Sequence, residues 1–145
     1  MGKEVVVITR YFFPNKAVDS EAVYQMIKGL LAVDGSLKIT VVTTNKMYKS
    51  QVLATQVDQS ILNNIKVHQI ESVTKETHSK VLTLLYNLIE GFRLVSAAKK
   101  TNIKNIISLT NPPLIALWCT LMLKKRNFFY WSFDLFPDAF VGDNI

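Results

Sequence analysis

Residues 5–44 predict a β-strand, an α-helix and a second β-strand, and they read VVVITRYFFPNKAVDSEAVYQMIKGLLAVDGSLKITVVTT. The run from Val5 to Ile8 is entirely β-branched, which is typical of a parallel strand covered on both faces. Ser20 to Val33 carries apolar residues at helical spacing. Lys38 to Thr43 is again rich in β-branched residues and predicts the second strand. Together these segments predict a β-α-β unit.

The same alternation continues to the end of the sequence. The later predicted elements are a short helix within Ser50–Asn64, a strand at Ile65–Ile70, a helix at Ser79–Lys100, a strand at Asn105–Leu109, a helix at Pro112–Lys125 and a strand at Phe128–Phe133. Alternating strands and helices favour a doubly wound, Rossmann-like parallel α/β sheet with right-handed crossovers. We expect the strand order 3-2-1-4-5.

The helix predicted at Ser79–Lys100 carries a long apolar stripe with a glycine, Gly91, as a weak point. The stripe consists of Val81, Leu84, Leu85, Leu88, Phe92 and Val95.

Composition indicates one folded domain. The chain has 145 residues, of which 49% are hydrophobic, and this composition excludes intrinsic disorder. The formal net charge of +6 favours contact with phosphates, anionic lipid or nucleic acid. The two basic clusters, at 99–100 and 124–126, fall where helices are expected to end, which favours a structural role. No nucleic-acid partner is expected, because basic and aromatic residues do not cluster on one face.

Cysteine content and hydropathy favour a cytoplasmic setting. Cys119 has no partner for an intrachain disulfide and lies in an apolar run. The start of the sequence lacks the pattern of a signal peptide. The longest apolar run, Leu114 to Leu123, is shorter than a membrane span, so no segment is expected to cross a membrane. That run could instead face anionic lipid together with the basic helix ends, or be buried against the sheet.

The last predicted strand indicates that further sheet belongs to this protein. Phe128 to Phe133 is almost wholly aromatic, and such a strand left at a sheet edge would invite aggregation. The sequence ends twelve residues later without a predicted covering helix. We therefore expect residues 1–145 to be an incomplete part of a larger enzyme or one half of a split one.

Three loops follow the carboxyl ends of predicted strands, where open parallel sheets bind ligands. They are Arg10–Asp19, Thr110–Pro113 and Asp134–Asp138.

Several motifs, in these loops and in the first helix and second strand, carry a resemblance to a known family. They are Tyr11-Phe12-Phe13-Pro14, the first helix with Gly35 and the following Ile39–Thr44, the turn Asn111-Pro112-Pro113, and Asp134-Leu135-Phe136-Pro137-Asp138. In their order and spacing, the sequence resembles glycosyltransferases of family 4, particularly those that act on lipid-linked acceptors in surface polysaccharide synthesis. The resemblance spans nearly all 145 residues.

This resemblance implies an amino-terminal, acceptor-side domain of a GT-B fold whose carboxyl-terminal, donor-binding domain is absent. The implied activity is retaining transfer from a nucleotide-diphosphate sugar, without bound metal or cofactor, to a glycan or lipid-linked acceptor. Such a half-enzyme is expected to be inactive alone and to need a donor domain in cis or in trans. It could also lie peripherally on the inner face of the cell membrane. The alternative is a noncatalytic subunit that binds acceptor or membrane in a split glycosyltransferase.

Two candidate substrate-binding residues, Asn15 and Lys16, lie in the first loop. The family often has a glycine pair there, whereas this sequence has Asn15-Lys16-Ala17. The ammonium of Lys16 could contact a substrate phosphate without glycine geometry, or it could be a solvated loop lysine.

The other candidates follow the fourth and fifth strands. Asp134 could orient or deprotonate an acceptor hydroxyl, or it could be a helix N-cap. Asp138 could bind substrate, although the favoured role is that of an acidic residue in the first turn of a helix, where the helix dipole stabilises it. Asn111 could bind the acceptor, although turn formation is favoured. His68 and His78 are not expected to bind metal.

Overall fold

The computed structural model describes residues 3–13, 18–46 and 58–132 of the chain. The elements in chain order are β1 (Glu4–Ile8), α1 (Val18–Val33), β2 (Lys38–Thr44), α2 (Gln59–Asn63), β3 (Ile65–Ile70), α3 (Lys80–Lys100), β4 (Asn105–Leu109), α4 (Ile115–Met122) and β5 (Asn127–Trp131).

The five strands form one parallel sheet in the order β3-β2-β1-β4-β5, which confirms the predicted topology. β1 lies at the centre, where Val7 is in register with Val41 of β2 and with Ile107 of β4. The order reverses at β1, because β2 and β3 lie on one side of it and β4 and β5 on the other. This reversal opens a crevice at the carboxyl ends of the strands.

Two hydrophobic clusters cover the two faces of the sheet. Val6 and Ile8 of β1 point to one face, where α3 and α4 cover them. Val7 points to the other face, where it packs with Val23 and Ile27 of α1. Because successive side chains of a strand alternate between faces, a wholly apolar strand such as β1 requires cover on both.

α4 is shorter than predicted. Its helical residues are Ile115–Met122, whereas the prediction extended from Pro112 to Lys125. Leu114 precedes the helix in the left-handed region, with φ 66°, and it therefore separates Pro113 from the first helical turn. Cys119 in α4 is buried, as expected.

The two basic clusters have structural positions, but one differs from the prediction. Lys99 and Lys100 lie in the last turn of α3, as expected. Arg126 does not lie at the end of α4. Its guanidinium donates instead to the backbone carbonyls of Ala98, Lys99 and Ile103, and so closes the end of α3.

The predicted apolar stripe of α3 is only partly covered. Val95 is buried, whereas Val81, Leu84, Leu85 and Phe92 are exposed. The second half of α3 packs on the sheet, whereas the apolar side of its first half is largely exposed among the described residues. By length and composition alone, α3 is also apolar enough to cross a membrane.

β5 spans Asn127–Trp131 and pairs with β4, whereas the predicted strand ended at Phe133, outside the described residues. Its second edge has no strand partner among residues 3–13, 18–46 and 58–132. Phe129 and Tyr130 are exposed on this strand.

Candidate functional site

A connected polar cluster lies at the carboxyl edge of the sheet, beside the reversal of strand order at β1. Arg10 is its central residue and follows β1 by two positions. The backbone nitrogen of Arg10 donates to the carbonyl of Asn111, which lies two positions beyond β4. The strands flanking the crevice are therefore held together just beyond their ends.

Arg10 is fixed by both its side chain and its backbone. Its Nε donates to Oε1 of Glu90 at 2.7 Å, and its Nη2 donates to Oδ1 of Asn87. The Arg10 carbonyl accepts hydrogen bonds from the hydroxyls of Thr43 and Thr44, at 3.0 and 2.8 Å. Only 8% of the Arg10 side chain is exposed, so the guanidinium has a single preferred orientation.

Glu90 is a fully buried carboxylate with several hydrogen-bond donors. Its Oε1 accepts from Arg10, and its Oε2 accepts from the Ser72 hydroxyl at 2.6 Å and from the Val73 backbone nitrogen at 3.3 Å. A buried charge is tolerated only when it is paired and hydrogen-bonded in this manner. Glu90 therefore joins α3 to the end of β1 and to the β3–α3 loop.

Lys46 extends the cluster from the end of β2. Its Nζ donates to the Thr74 hydroxyl at 2.6 Å, and that hydroxyl lies 3.0 Å from the Ser72 hydroxyl, which in turn donates to Glu90. Partial burial lowers the pKa of Lys46, and the nearby Arg10 cation lowers it further. Two cations, Arg10 and Lys46, thus share one network with the buried carboxylate of Glu90.

Burial also affects the phenol that follows Arg10. Tyr11 is buried, and desolvation raises the pKa of its hydroxyl despite the opposing effect of the Arg10 cation. Tyr11 is therefore a neutral phenol at physiological pH.

The β3–α3 loop, which contains Ser72 and Thr74 of the polar cluster, also borders an open depression of about 550 Å³. Lys75, which follows Thr74, lines it together with Glu76, Thr77, His78 and Thr83. Glu76 also lies near enough to Lys46 to oppose the lowering of its pKa. The depression and the polar cluster therefore adjoin at the carboxyl edge of the sheet.

Asn111 is the one predicted site residue that the structure describes. Its Nδ2 donates to Oδ2 of Asp19 at 2.9 Å, a contact between the β4–α4 loop and the first turn of α1. The sequence favoured a hydrogen bond within the turn that contains Asn111, whereas in the structure its side chain bonds to Asp19 of α1. The peptide bond from Asn111 to Pro112 is cis.

The four other predicted site residues lie outside the described residues. They are Asn15 and Lys16 after β1, and Asp134 and Asp138 after β5. Their roles stay predictions.

The residues of the polar cluster were not predicted as site residues. Two signals in the sequence could have identified them. Arg10 is a charged residue two positions after a buried strand, and Glu90 is the single acidic residue of α3. The pairing of these two opposite charges could have been proposed from those positions. The strand β1 ends at the ligand-binding edge of the sheet, and α3 passes beside that edge.

No group of three or more His, Cys, Asp or Glu side chains that could hold a metal ion occurs within residues 3–13, 18–46 and 58–132. His68 lies within β3, and His78 precedes α3.

No family model and no curated protein sequence matches the chain. Its structure is similar to the crystal structure of a UGT transferase from Siraitia grosvenorii in complex with UDP, with a TM-score of 0.51 and 12% sequence identity. The match covers 90% of this chain, which spans 27% of the length of that transferase chain. The likeness shows a glycosyltransferase-like fold, consistent with the Rossmann-like half of a GT-B enzyme.

Proposed function

We propose that this chain is the amino-terminal, acceptor-side part of a glycosyltransferase that uses a nucleotide-diphosphate sugar as its donor. The observation that carries the proposal is the likeness of fold, over 90% of the chain, to a transferase solved with UDP. The motif resemblance to family 4 supports a finer assignment. It favours retaining transfer to a lipid-linked glycan acceptor during synthesis of cell-surface polysaccharide, on the cytoplasmic side of the membrane.

The charge of the polar cluster supports a phosphate-bearing substrate. Arg10 and Lys46 contribute two positive charges, and Glu90 contributes one negative charge from a fully buried position. The hydrogen-bonded cluster therefore carries a formal charge of +1, which attracts anions locally, although Glu76 lies near Lys46 and Asp19 bonds to Asn111 at the same edge. The diphosphate of a lipid-linked acceptor is a ligand of that chemistry.

Glu90 is a positioning residue in this proposal. It sets the orientation of Arg10 through the 2.7 Å ion pair, and it holds the β3–α3 loop through Ser72 and Val73. Positioning of this kind matters in a transferase, because reaction requires the acceptor hydroxyl to be held within reacting distance of the donor sugar.

The predicted residues outside the described part of the chain complete the proposed site. Asp134 would accept the proton of the acceptor hydroxyl or orient it. Lys16 and Asn15 would contact substrate phosphate, and Asp138 and Asn111 would bind the acceptor. The Asn111 amide would have to exchange its bond to Asp19 for a bond to the ligand, or act through that bond by fixing the loop.

A donor-binding domain, in cis or in trans, is part of this proposal. Without it, donor and acceptor cannot be brought together, and we expect the isolated chain to have no transferase activity. The test assays a panel of radiolabelled nucleotide sugars with the isolated chain and with the chain completed by its donor domain. Turnover by the isolated chain would overturn the half-enzyme proposal.

The variant Asp134→Asn tests the proposed base in the completed enzyme. We expect kcat to fall by about a hundredfold or more if the carboxylate takes the proton. An unchanged kcat would identify the aspartate as a helix cap. Thermal unfolding of the variant is the control, and it should change little even if Asp134 is an N-cap, because Asn caps helices about as well as Asp.

The alternative function is a noncatalytic subunit that binds acceptor or membrane within a split glycosyltransferase. It shares the fold and the acceptor site with the main proposal. Restored turnover on adding a separately encoded donor-binding chain would favour the split enzyme, and acceptor binding without any restored turnover would favour a purely binding role.

A further inference from the structure

An open depression lies at the amino edge of the sheet, at the opposite end of the strands from the crevice. Its volume is about 360 Å³, which lies within the range of small-molecule sites. We name it the amino-edge pocket; its polar lining residues are Glu4, Thr40, Lys66, His68, Lys100 and Thr101. Strand β1 runs from Glu4 towards Arg10, and at about 3.3 Å per residue these two positions lie about 20 Å apart. The amino-edge pocket is therefore separate from the Arg10 cluster.

Two neighbouring strands form the floor of the pocket. Thr40 of β2 is in register with Lys66 of β3, and His68 follows Lys66 by two residues, so all three side chains point to one face of the sheet. It is the face that α3 covers, because Val42 and Ile70, the next residues of that face on each strand, pack in the core beneath α3. Lys66 and His68 are nevertheless exposed, so α3 leaves the amino half of this floor uncovered.

The end of α3 forms the wall of the pocket, with Lys100 in its last turn and Thr101 at its C-cap. Free carbonyl oxygens at the end of a helix would repel an anion. Here the Thr101 hydroxyl donates to the Ala98 carbonyl, and the Arg126 guanidinium donates to three backbone carbonyls at the same place. The negative end of the α3 dipole is therefore largely neutralised beside the pocket.

Several hydrogen-bond donors line the pocket without being used. Within residues 3–13, 18–46 and 58–132, the side chains of Thr40, Lys66, His68 and Lys100 form no hydrogen bond or ion pair. Ammonium, imidazole and hydroxyl groups all donate hydrogen bonds. Glu4 is the acidic residue of the lining, and it lowers the local positive charge.

Positive charge is concentrated along the whole amino edge, which consists of the strand starts and of the helix ends and loops that lead into them. In the described part of the chain, this edge has two acidic residues, Glu4 and Asp34, against eight exposed lysines. The lysines are Lys3, Lys38, Lys66, Lys99, Lys100, Lys104, Lys124 and Lys125. Such an excess of one sign attracts anions to the edge.

We propose that the amino-edge pocket binds a small anion with several phosphoryl groups. Two ammonium groups, one imidazole and one hydroxyl supply donors for several oxygens at once, and a polyphosphate has both the oxygens and the charge to use them. A single carboxylate offers only two oxygens. The inference goes beyond the proposed sugar transfer and does not rest on it, because the pocket lies at the other edge of the sheet.

The experiment is titration of the full chain with inorganic triphosphate, followed by amide NMR shifts, which report the position of binding as well as its affinity. We expect the largest shifts at Thr40, Lys66 and Thr101. The double variant Lys66→Gln, Lys100→Gln should weaken this binding by about tenfold or more, because it removes two charge-assisted contacts. Glu4→Gln should tighten it by about threefold, since it removes the acidic group from the lining.

The matched control is the double variant Lys124→Gln, Lys125→Gln, which makes the same charge change on the same edge. These lysines precede β5, and β5 lies three strand spacings from β2, about 14 Å, which exceeds the Debye length of about 8 Å at physiological salt. We expect this variant to weaken binding by less than about twofold. Lys46→Met, which alters the Arg10 cluster, should leave binding at the amino-edge pocket unchanged.

Three results would overturn the proposal. Equal weakening by the two double variants would show general attraction to a basic edge, and shifts confined to Arg10 and Lys46 would place the anion in the crevice. Citrate, a carboxylate anion of similar charge, serves as the third test, because binding as tight as that of triphosphate would show that the pocket does not select phosphoryl groups. Circular dichroism confirms that each variant is folded, and all four lysines are exposed, so glutamine should be tolerated at each position.

Discussion

Nε of Arg10 lies 2.7 Å from Oε1 of Glu90, although eighty positions separate the two residues in the sequence, and both side chains are buried. This ion pair connects the end of the central strand to the middle of α3. Its burial means that removal of one partner leaves an uncompensated charge in the interior. The pair is therefore the most sensitive point of the polar cluster.

Glu90→Gln should lower the free energy of unfolding by about 3–5 kcal/mol, because it leaves the Arg10 guanidinium buried without its counter-charge. Urea denaturation measures the effect. The control Glu21→Gln changes an exposed glutamate, whose partner is Gln25, and should alter stability by less than about 0.5 kcal/mol. The double variant Arg10→Met, Glu90→Leu removes both charges and should be more stable than Glu90→Gln; if it is less stable, the burial argument fails.

Lys46→Met should weaken binding of a short prenyl diphosphate, such as farnesyl diphosphate, by about tenfold, the effect of losing one charge-assisted contact. The reason is the position of Lys46 in the cluster at the carboxyl edge of the sheet. Isothermal titration calorimetry provides the measurement. Lys28→Met, on the opposite side of the sheet, is the matched control, and equal weakening by the two variants would contradict an acceptor site at Lys46.

Asn111→Ala should cost about 1 kcal/mol of stability, because it removes the hydrogen bond from the Asn111 amide to Asp19. Asn111→Asp should cost more at neutral pH, since it places two carboxylates in hydrogen-bonding contact. Repulsion raises the pKa of one carboxyl of the pair, so this extra cost should diminish as pH falls and that carboxyl takes up a proton. Denaturation midpoints of both variants across the acidic range test the sign; the absence of any pH-dependent difference between them would show that the contact does not form in solution.

Gly91→Ala and Gly29→Ala form a matched pair of helix-interior substitutions. A Cβ at Gly91 would lie 3.1 Å from Cδ1 of Trp118, whereas a Cβ at Gly29 would meet no atom within 4 Å. Gly29→Ala should stabilise the protein by about 0.5–1 kcal/mol through helix propensity. Gly91→Ala should destabilise it by about 1 kcal/mol net, because the Trp118 ring is held by Leu88 and Phe92 and cannot move aside freely. Thermal denaturation gives both values, and equal stabilisation would mean that α3 and α4 are not so closely packed.

Cys119 should make the stability of the protein decrease at alkaline pH. Burial raises the pKa of its thiol from 9.0 to about 11, against a smaller opposing effect of a hydrogen bond with Ser108. The thiolate therefore forms more readily in the unfolded chain, so stability is full below about pH 9 and falls by about 2 kcal/mol as pH rises towards 11. Cys119→Ala should be less stable near neutral pH because of the cavity it leaves, and its deficit should shrink as pH rises. A constant deficit across that range would contradict the raised pKa.

Local patterns in the sequence are sufficient for the architecture of this protein. The β-branched run of β1 and the helical spacing in α1 predicted the two elements within one or two residues of their observed bounds. The alternation of strands and helices then predicted the parallel sheet, and the ligand-loop signals after the first and fourth strands predicted its order, because ligands bind where the strand order reverses. These features depend on residues close together in the chain, where periodicity and propensity act.

The tertiary structure alone decided which side chains meet. The bond of Arg10 to Glu90, the bond of Asn111 to Asp19 and the closure of α3 by Arg126 each join segments that are distant in sequence. The outward orientation of the apolar side in the first half of α3 is also a tertiary feature, because Asn87 and Glu90 on the other side of the helix bond to Arg10. Periodicity specifies that a helix has an apolar face, but only packing against other elements determines whether that face is buried.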